Sequence, residues 1–129
     1  MTKTRDIEVI DITANGFWLR VFSKKYYVSF VSKHPYFLGV SAKEIKKVKI
    51  THHHTFHTIE WKSLDISLDL DCFEHPRRYP CLMLTKEQLE RIQNVLKHPE
   101  FYPDIKFTKR QREYLQRRID MIAEHRKQS

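Results

Sequence analysis

The strongest pattern along the chain is the alternation in W-K-S-L-D-I-S-L-D-L-D, residues 61–71. Leu64, Ile66, Leu68 and Leu70 fall on one side, and Asp65, Ser67, Asp69 and Asp71 on the other. A period of two over this length predicts one strand with a face on a core and a face in water. Residues 7–13, I-E-V-I-D-I-T, predict a second strand, with Ile7, Val9 and Asp11 on a common face. Ala14-Asn15-Gly16 supplies a turn, since Asn-Gly reaches positive φ at low cost. F-W-L-R-V-F (17–22) and Y-Y-V-S-F (26–30) then predict a hairpin across Ser23-Lys24-Lys25. Pro35 in H-P-Y-F-L-G-V opens a turn, and Ser41 with Glu44 three residues on is the capping-box start of a helix of about two turns. Residues 48–61 read as a strand that breaks around His53–Thr55.

The period changes from two to about 3.6 after E-H-P-R-R-Y-P. Pro76 and Pro80 donate no ladder hydrogen bond, so the sheet is expected to end there, with a domain boundary at Pro80. Thr85 with Gln88 starts one helix, whose apolar stripe is Leu89, Ile92 and Leu96. His98-Pro99 and Tyr102-Pro103 break it. Thr108 with Gln111 starts another, lined by Leu115, Ile119 and Ile122 and flanked by Tyr114 and Met121. A link of about ten residues is too long for a helix-turn-helix, whose turn takes three or four. The expected fold is α+β. Residues 1–80 form one antiparallel sheet of five or six strands with a short helix, and residues 81–129 form a two-helix extension.

The order F-W-L-R-V, Y-Y-V-S-F, H-P-Y-F-L-G-V, A-K-E-I-K-K-V-K-I, H-T-I-E-W-K-S-L-D-I-S-L-D-L and E-H-P-R-R-Y-P resembles the bacterial family called domain of unknown function 2442, in its longer form, over roughly residues 7–80. The resemblance implies a small α+β domain with no established activity. Family members are sometimes joined to a helix-turn-helix domain. Their genes often neighbour those of domain of unknown function 4160, which suggests a toxin–antitoxin-like pair. This chain departs from the DNA-binding versions by carrying two capped helices with a long link.

Composition narrows the chemistry. Only Gly16 and Gly39 are glycines, which excludes a glycine-rich phosphate-cradling loop. Cys72 and Cys81 are too few for a disulfide framework. The polar start M-T-K-T-R-D lacks the apolar core of a signal peptide, and no apolar run reaches transmembrane length, so a cytoplasmic protein is expected. The net charge is +8, and residues 106–129 carry eight Lys and Arg against three Asp and Glu. That segment suits a nucleic acid or an acidic protein, although a solvated helix face has the same composition.

No catalytic constellation stands out, so a non-enzymatic module without cofactor is expected. Of His52, His53, His54 and His57, a strand puts His52 and His54 on one face and His53 on the other, and two imidazoles are short of a closed metal shell unless Asp65 or Asp69 adds a ligand. Asp65, Asp69 and Asp71 fit a solvated strand face better than a cation cluster. Cys72 and Cys81, with His75 between them, fit core filling better than nucleophilic catalysis. Trp18, Trp61 and the aromatic hairpin either stack on bases or fill the core. The leading expectation is a protein partner or homodimer gripped by Leu89, Ile92, Leu96, Leu115, Ile119 and Ile122. The alternative is nucleic acid held at its phosphates by Lys109, Arg110, Arg112, Arg117 and Arg118.

Overall fold

The computed structural model describes residues 6–78 and 84–128. Three strands come first: β1 (Ile7–Thr13), β2 (Gly16–Val21) and β3 (Lys24–Ser29). The short helix α1 (Ala42–Ile45) precedes β4 (Lys49–His52), β5 (His57–Trp61) and β6 (Ile66–Asp69). Helices α2 (Asp71–Glu74), α3 (Lys86–Lys97) and α4 (Lys109–Gln128) follow. The α+β class is as expected. The single sheet is not: the six strands form two antiparallel sheets, β1-β2-β3 and β4-β5-β6. Between β3 and β4 the chain passes through a buried 3-10 turn at Pro35–Phe37 and then α1, so β4 opens a new hairpin rather than extending the first. The outer edge of β1 meets the segment around β4 across a cleft lined by Asp6, Ile7, Glu8, Val9, Lys46, Val48 and Ile50, where no ladder forms.

The alternating stretch is also more than one strand. β5 ends at Trp61, a 3-10 turn takes Lys62–Leu64, and Asp65 adopts φ 55, the left-handed conformation that Asp tolerates better than most residues. The chain then returns as β6, pairing Trp61 with Ile66 and Ile59 with Leu68. An alternating pattern carries no mark of where a strand folds back when the turn residues keep the rhythm. Leu70 still donates its amide to the His57 carbonyl at 2.9 Å and then caps α2, which begins at Asp71.

β1 contains a bulge between Ile10 and Thr13, with Asp11 at φ 51. The extra residue turns Asp11 to solvent and lets Ile12 pack on the core, resolving the carboxylate that strict alternation placed inward. The β2–β3 turn is Phe22-Ser23, two residues rather than three, with Val21 opposite Lys24. Gly16 serves close approach and does not need positive φ. A Cβ there would lie 2.5 Å from the Tyr27 hydroxyl and from the Val28 carbonyl.

One core joins these pieces. Phe17, Phe30, Phe37 and Trp61 are buried at its centre, with Phe37 and Trp61 edge-to-face at 4.7 Å and the Trp61 indole donating to the Ile45 carbonyl at 2.8 Å. Ile92, Val95, Leu96, Leu115 and Ile119 belong to the same buried cluster. The boundary expected at Pro80 lies outside the described residues, but the chain on either side of it shares this core.

Helix α3 is tied to the sheets by polar side chains as well. Its capping box is complete, with the Thr85 hydroxyl accepting from the Gln88 amide and the Gln88 side chain accepting from the Thr85 amide. The same buried Gln88 donates to the Leu64 and Asp65 carbonyls, each at 3.1 Å, and so satisfies the turn between β5 and β6. Arg91 donates to the carbonyls of Leu38, at 3.0 Å, and Tyr36, holding the 3-10 turn. Gly39 beside it has φ 82 and sits against Val95, where a Cβ would come within 3.0 Å.

Candidate functional site

Helix α4 starts as expected: the Thr108 hydroxyl accepts from the Gln111 amide at 3.1 Å, and the Gln111 side chain accepts from the Thr108 amide at 3.0 Å. Its apolar stripe turns inward. Leu115 and Ile119 are fully buried and Ile122 is half-buried against the core. Leu89, Ile92 and Leu96 of α3 are likewise buried in it. The six residues expected to grip a partner are thus placed in or against the chain's own core. Two adjacent helices beside open sheet faces cover their stripes on their own chain, which leaves little of those side chains for another.

The outward face of α4 is therefore the surface the helix presents. Taking Leu115 as zero at about 100° per residue, Ile119 lies near 40° and Ile122 near −20°. Arg110, Tyr114, Arg117 and Met121 cluster at about 200–260°, directly opposite. All four are exposed.

The five cations expected to hold phosphates divide into two groups. Arg112 donates to the Leu96 carbonyl at 2.7 Å, fastening α4 to α3. Arg118 donates to the Ser32 carbonyl at 3.5 Å and lies 5.4 Å from the centre of the Tyr114 ring. These two are structural, as is Arg126, which donates to the Leu84 carbonyl. Lys109, Arg110 and Arg117 are exposed; Arg110 and Arg117 lie on the side of Tyr114, and Lys109 near 120°, on the side of exposed Glu113 and Asp120.

The other sequence candidates occupy separate places. His52 and His57 are a cross-strand pair at the end of β4 and β5, with their Nδ1 atoms 2.9 Å apart. At that distance one ring donates to the other. His52 Nε2 lies 3.1 Å from the Asp6 carboxylate, and the Phe22 ring stacks on His52. His53 stacks on Phe56 instead. Asp65 closes the opposite end of the β5–β6 hairpin, and Asp69 accepts the Asp71 amide at 2.9 Å. Asp71 in turn faces Arg78 at 3.4 Å and His75 at 3.9 Å. Among the described residues no three metal-ligating side chains converge. Burial pushes the Cys72 thiol up, the direction opposite to that of a reactive thiolate, and Cys81 lies outside the described residues.

Trp18 and Trp61 part company. Trp61 is core, while Trp18 is 41% exposed and packs against Tyr27, 49% exposed, at 5.2 Å between ring centres. The sequence marked both tryptophans but not which lay outside. The inward positions of β2 and β3 (Phe17, Leu19, Val28) settle it by parity.

The chain matches no family model, no curated protein and no solved structure. Among the described residues no helix is long and apolar enough to cross a membrane.

Proposed function

We propose that this chain is a non-enzymatic module that binds nucleic acid through the outward face of α4. One observation carries the reading. The apolar stripe of α4 is buried in the chain's own core, so what the helix offers a partner is its polar arc, where exposed Lys109, Arg110, Tyr114 and Arg117 stand among Glu113, Asp120 and Glu124. Exposed cations on long stems suit phosphate contacts, which position a nucleic acid without reading its bases. The net charge of +8 supports encounter with a polyanion.

The test is affinity for a single-stranded oligonucleotide across a salt series. Replacing Lys109, Arg110 and Arg117 together with Ala removes three phosphate contacts. The slope of log K against log salt becomes shallower by about 2, from roughly 0.7 per contact on a single strand. Unchanged affinity and slope in the triple variant would sink the reading. A protein partner on the same face is the second reading, favoured by Met121, which is 67% exposed beside Tyr114. Binding of that kind responds to Met121→Asp and is nearly indifferent to salt.

A further inference from the structure

We propose that the outer face of the β1-β2-β3 sheet is a stacking platform for the bases of single-stranded nucleic acid, with Trp18 and Tyr27 as its rings. The proposal rests on the nucleic-acid reading of α4 and extends it to a second element and a strand state.

The two sheets differ on their outer faces. On β4-β5-β6, the outward rows are Lys49, Glu60 and Ser67, then Thr51, Thr58 and Asp69. These are polar throughout, as a solvated sheet face should be. On β1-β2-β3, one outward row is Glu8, Arg20 and Lys25, and the next is Ile10, Trp18 and Tyr27. The core has no need of these rings, because Phe17, Leu19 and Val28 already fill the inner side. Trp18 and Tyr27 are tilted by 59° to one another, so they do not cover each other face to face and ring surface remains open. A cross-strand aromatic pair contributes roughly 0.2–1 kcal/mol to a sheet, and that modest role is the alternative to be beaten.

Cations stand at both ends of the aromatic row. Lys25 is in the adjoining row, where Arg20 is engaged with Glu8 at 4.0 Å and with the Phe22 carbonyl. At the other end Asn15 grips the backbone of Lys106 twice: its amide donates to the Lys106 carbonyl at 2.5 Å, and its carbonyl accepts from the Lys106 amide at 3.0 Å. Asn15 is three residues from Trp18, about 10 Å along a strand. Asn15 pairs with Phe30 on the inward face, so the clamp brings Lys106, and after it the start of α4, to the edge of this sheet from its core side. A strand whose phosphates follow α4 reaches the rings by rounding that edge, about 10 Å along β2 from Asn15. Bases are sequestered in a duplex stack, so the rings select single strands.

The chain contains two tryptophans, and Trp61 is fully buried with its indole bonded to the Ile45 carbonyl. Quenching of tryptophan fluorescence by a stacked base therefore reports on Trp18. The full chain is titrated with oligothymidylate, its duplex with oligoadenylate, and inorganic polyphosphate. Oligothymidylate is expected to quench, and polyphosphate to bind without quenching. Trp18→Ala and Tyr27→Ala each weaken oligothymidylate by roughly 5- to 150-fold, the range of one lost stacking contact, and leave polyphosphate unchanged. Trp18→Phe, which keeps a ring, recovers part of the affinity and guards against a folding defect. Binding of all three ligands without quenching overturns the platform while sparing α4. Failure of all three to bind overturns both.

Discussion

Helices α3 and α4 begin with the same device, a threonine cap reciprocated by a glutamine three residues on, yet they have opposite relations to the rest of the molecule. In α3 five residues are buried, including Gln88, and Gln88 and Arg91 together hold four backbone carbonyls of the sheet half. In the longer α4 Leu115 and Ile119 are the fully buried ones among the described side chains, and a row of exposed side chains runs along the opposite side. A capped, periodic sequence establishes that a helix forms and which face is apolar. It does not establish whether that face is satisfied at home. Here α3 completes the fold, and α4 both completes it and presents a surface.

The largest effect that could break this contrast is removal of both helices. A chain ending at residue 80 loses Leu89, Ile92, Val95, Leu96, Leu115 and Ile119 from the core. At about 1.5–3 kcal/mol for each buried aliphatic side chain, the loss matches or exceeds the roughly 5–15 kcal/mol by which a domain is stable. Thermal unfolding of the truncated chain, followed by circular dichroism, is expected to show no cooperative transition. A sharp melt from residues 1–80 alone would mean that α3 and α4 are an appendage, as the sequence boundary at Pro80 suggests.

Next in size is an effect of pH on the loop that α4 grips through Arg118 and Ser32. His34 in this loop is buried against Phe73, with its Nδ1 unpartnered. Burial, helped by the nearby Lys33 charge, pulls its pKa down to about 4. Between pH 6.5 and about 4 the unfolded chain binds a proton at this site that the folded chain refuses. The contribution of neutral His34 is therefore complete above pH 6.5 and is lost as the pH falls toward 4. The shift corresponds to a loss on the order of 3 kcal/mol. Urea midpoints of the native chain and of His34→Leu, compared at pH 7 and pH 4.5, isolate it. Equal slopes in the two proteins would show that His34 does not carry the effect.

What the sequence made legible follows from how local each signal is. The caps at Ser41, Thr85 and Thr108 were readable because the donor and acceptor lie three residues apart. The hairpin at Phe17–Phe30 and the break near His53 were readable from composition and rhythm. The turn at Lys62–Asp65 was not, because its carbonyls are satisfied by Gln88, more than twenty residues away. The split into two sheets depends on where a buried loop carries the chain, which strand periodicity does not encode. At the candidate site, Lys109, Arg110 and Arg117 were named in advance. Their distinction from Arg112 and Arg118 required knowing which carbonyls lie within reach. The pairing of Trp18 with Tyr27 followed from register, and its exposure from which side of the sheet the core occupies.

The smallest expected effect is the sharpest measure of the contrast between the helices, because it compares two polar substitutions. Gln88→Ala in α3 leaves the Leu64 and Asp65 carbonyls without their donor and dissolves half of the capping box. Lost hydrogen bonds at a partly buried site cost about 1 kcal/mol each, and an unsatisfied group about 1–3, so a loss of about 2–3 kcal/mol is expected. Gln88→Glu separates the two roles of the side chain, since a carboxylate can still accept from the Thr85 amide but can no longer donate to the carbonyls. Arg117→Ala in α4 removes an exposed cation from a surface that contributes nothing to the core, and the expected change is within about 0.5 kcal/mol. Both are read from urea midpoints at pH 7 with the slope of unfolding unchanged. Comparable losses in the two variants would mean that the outward face of α4 is structural. That face would then cease to be the place to look for a ligand.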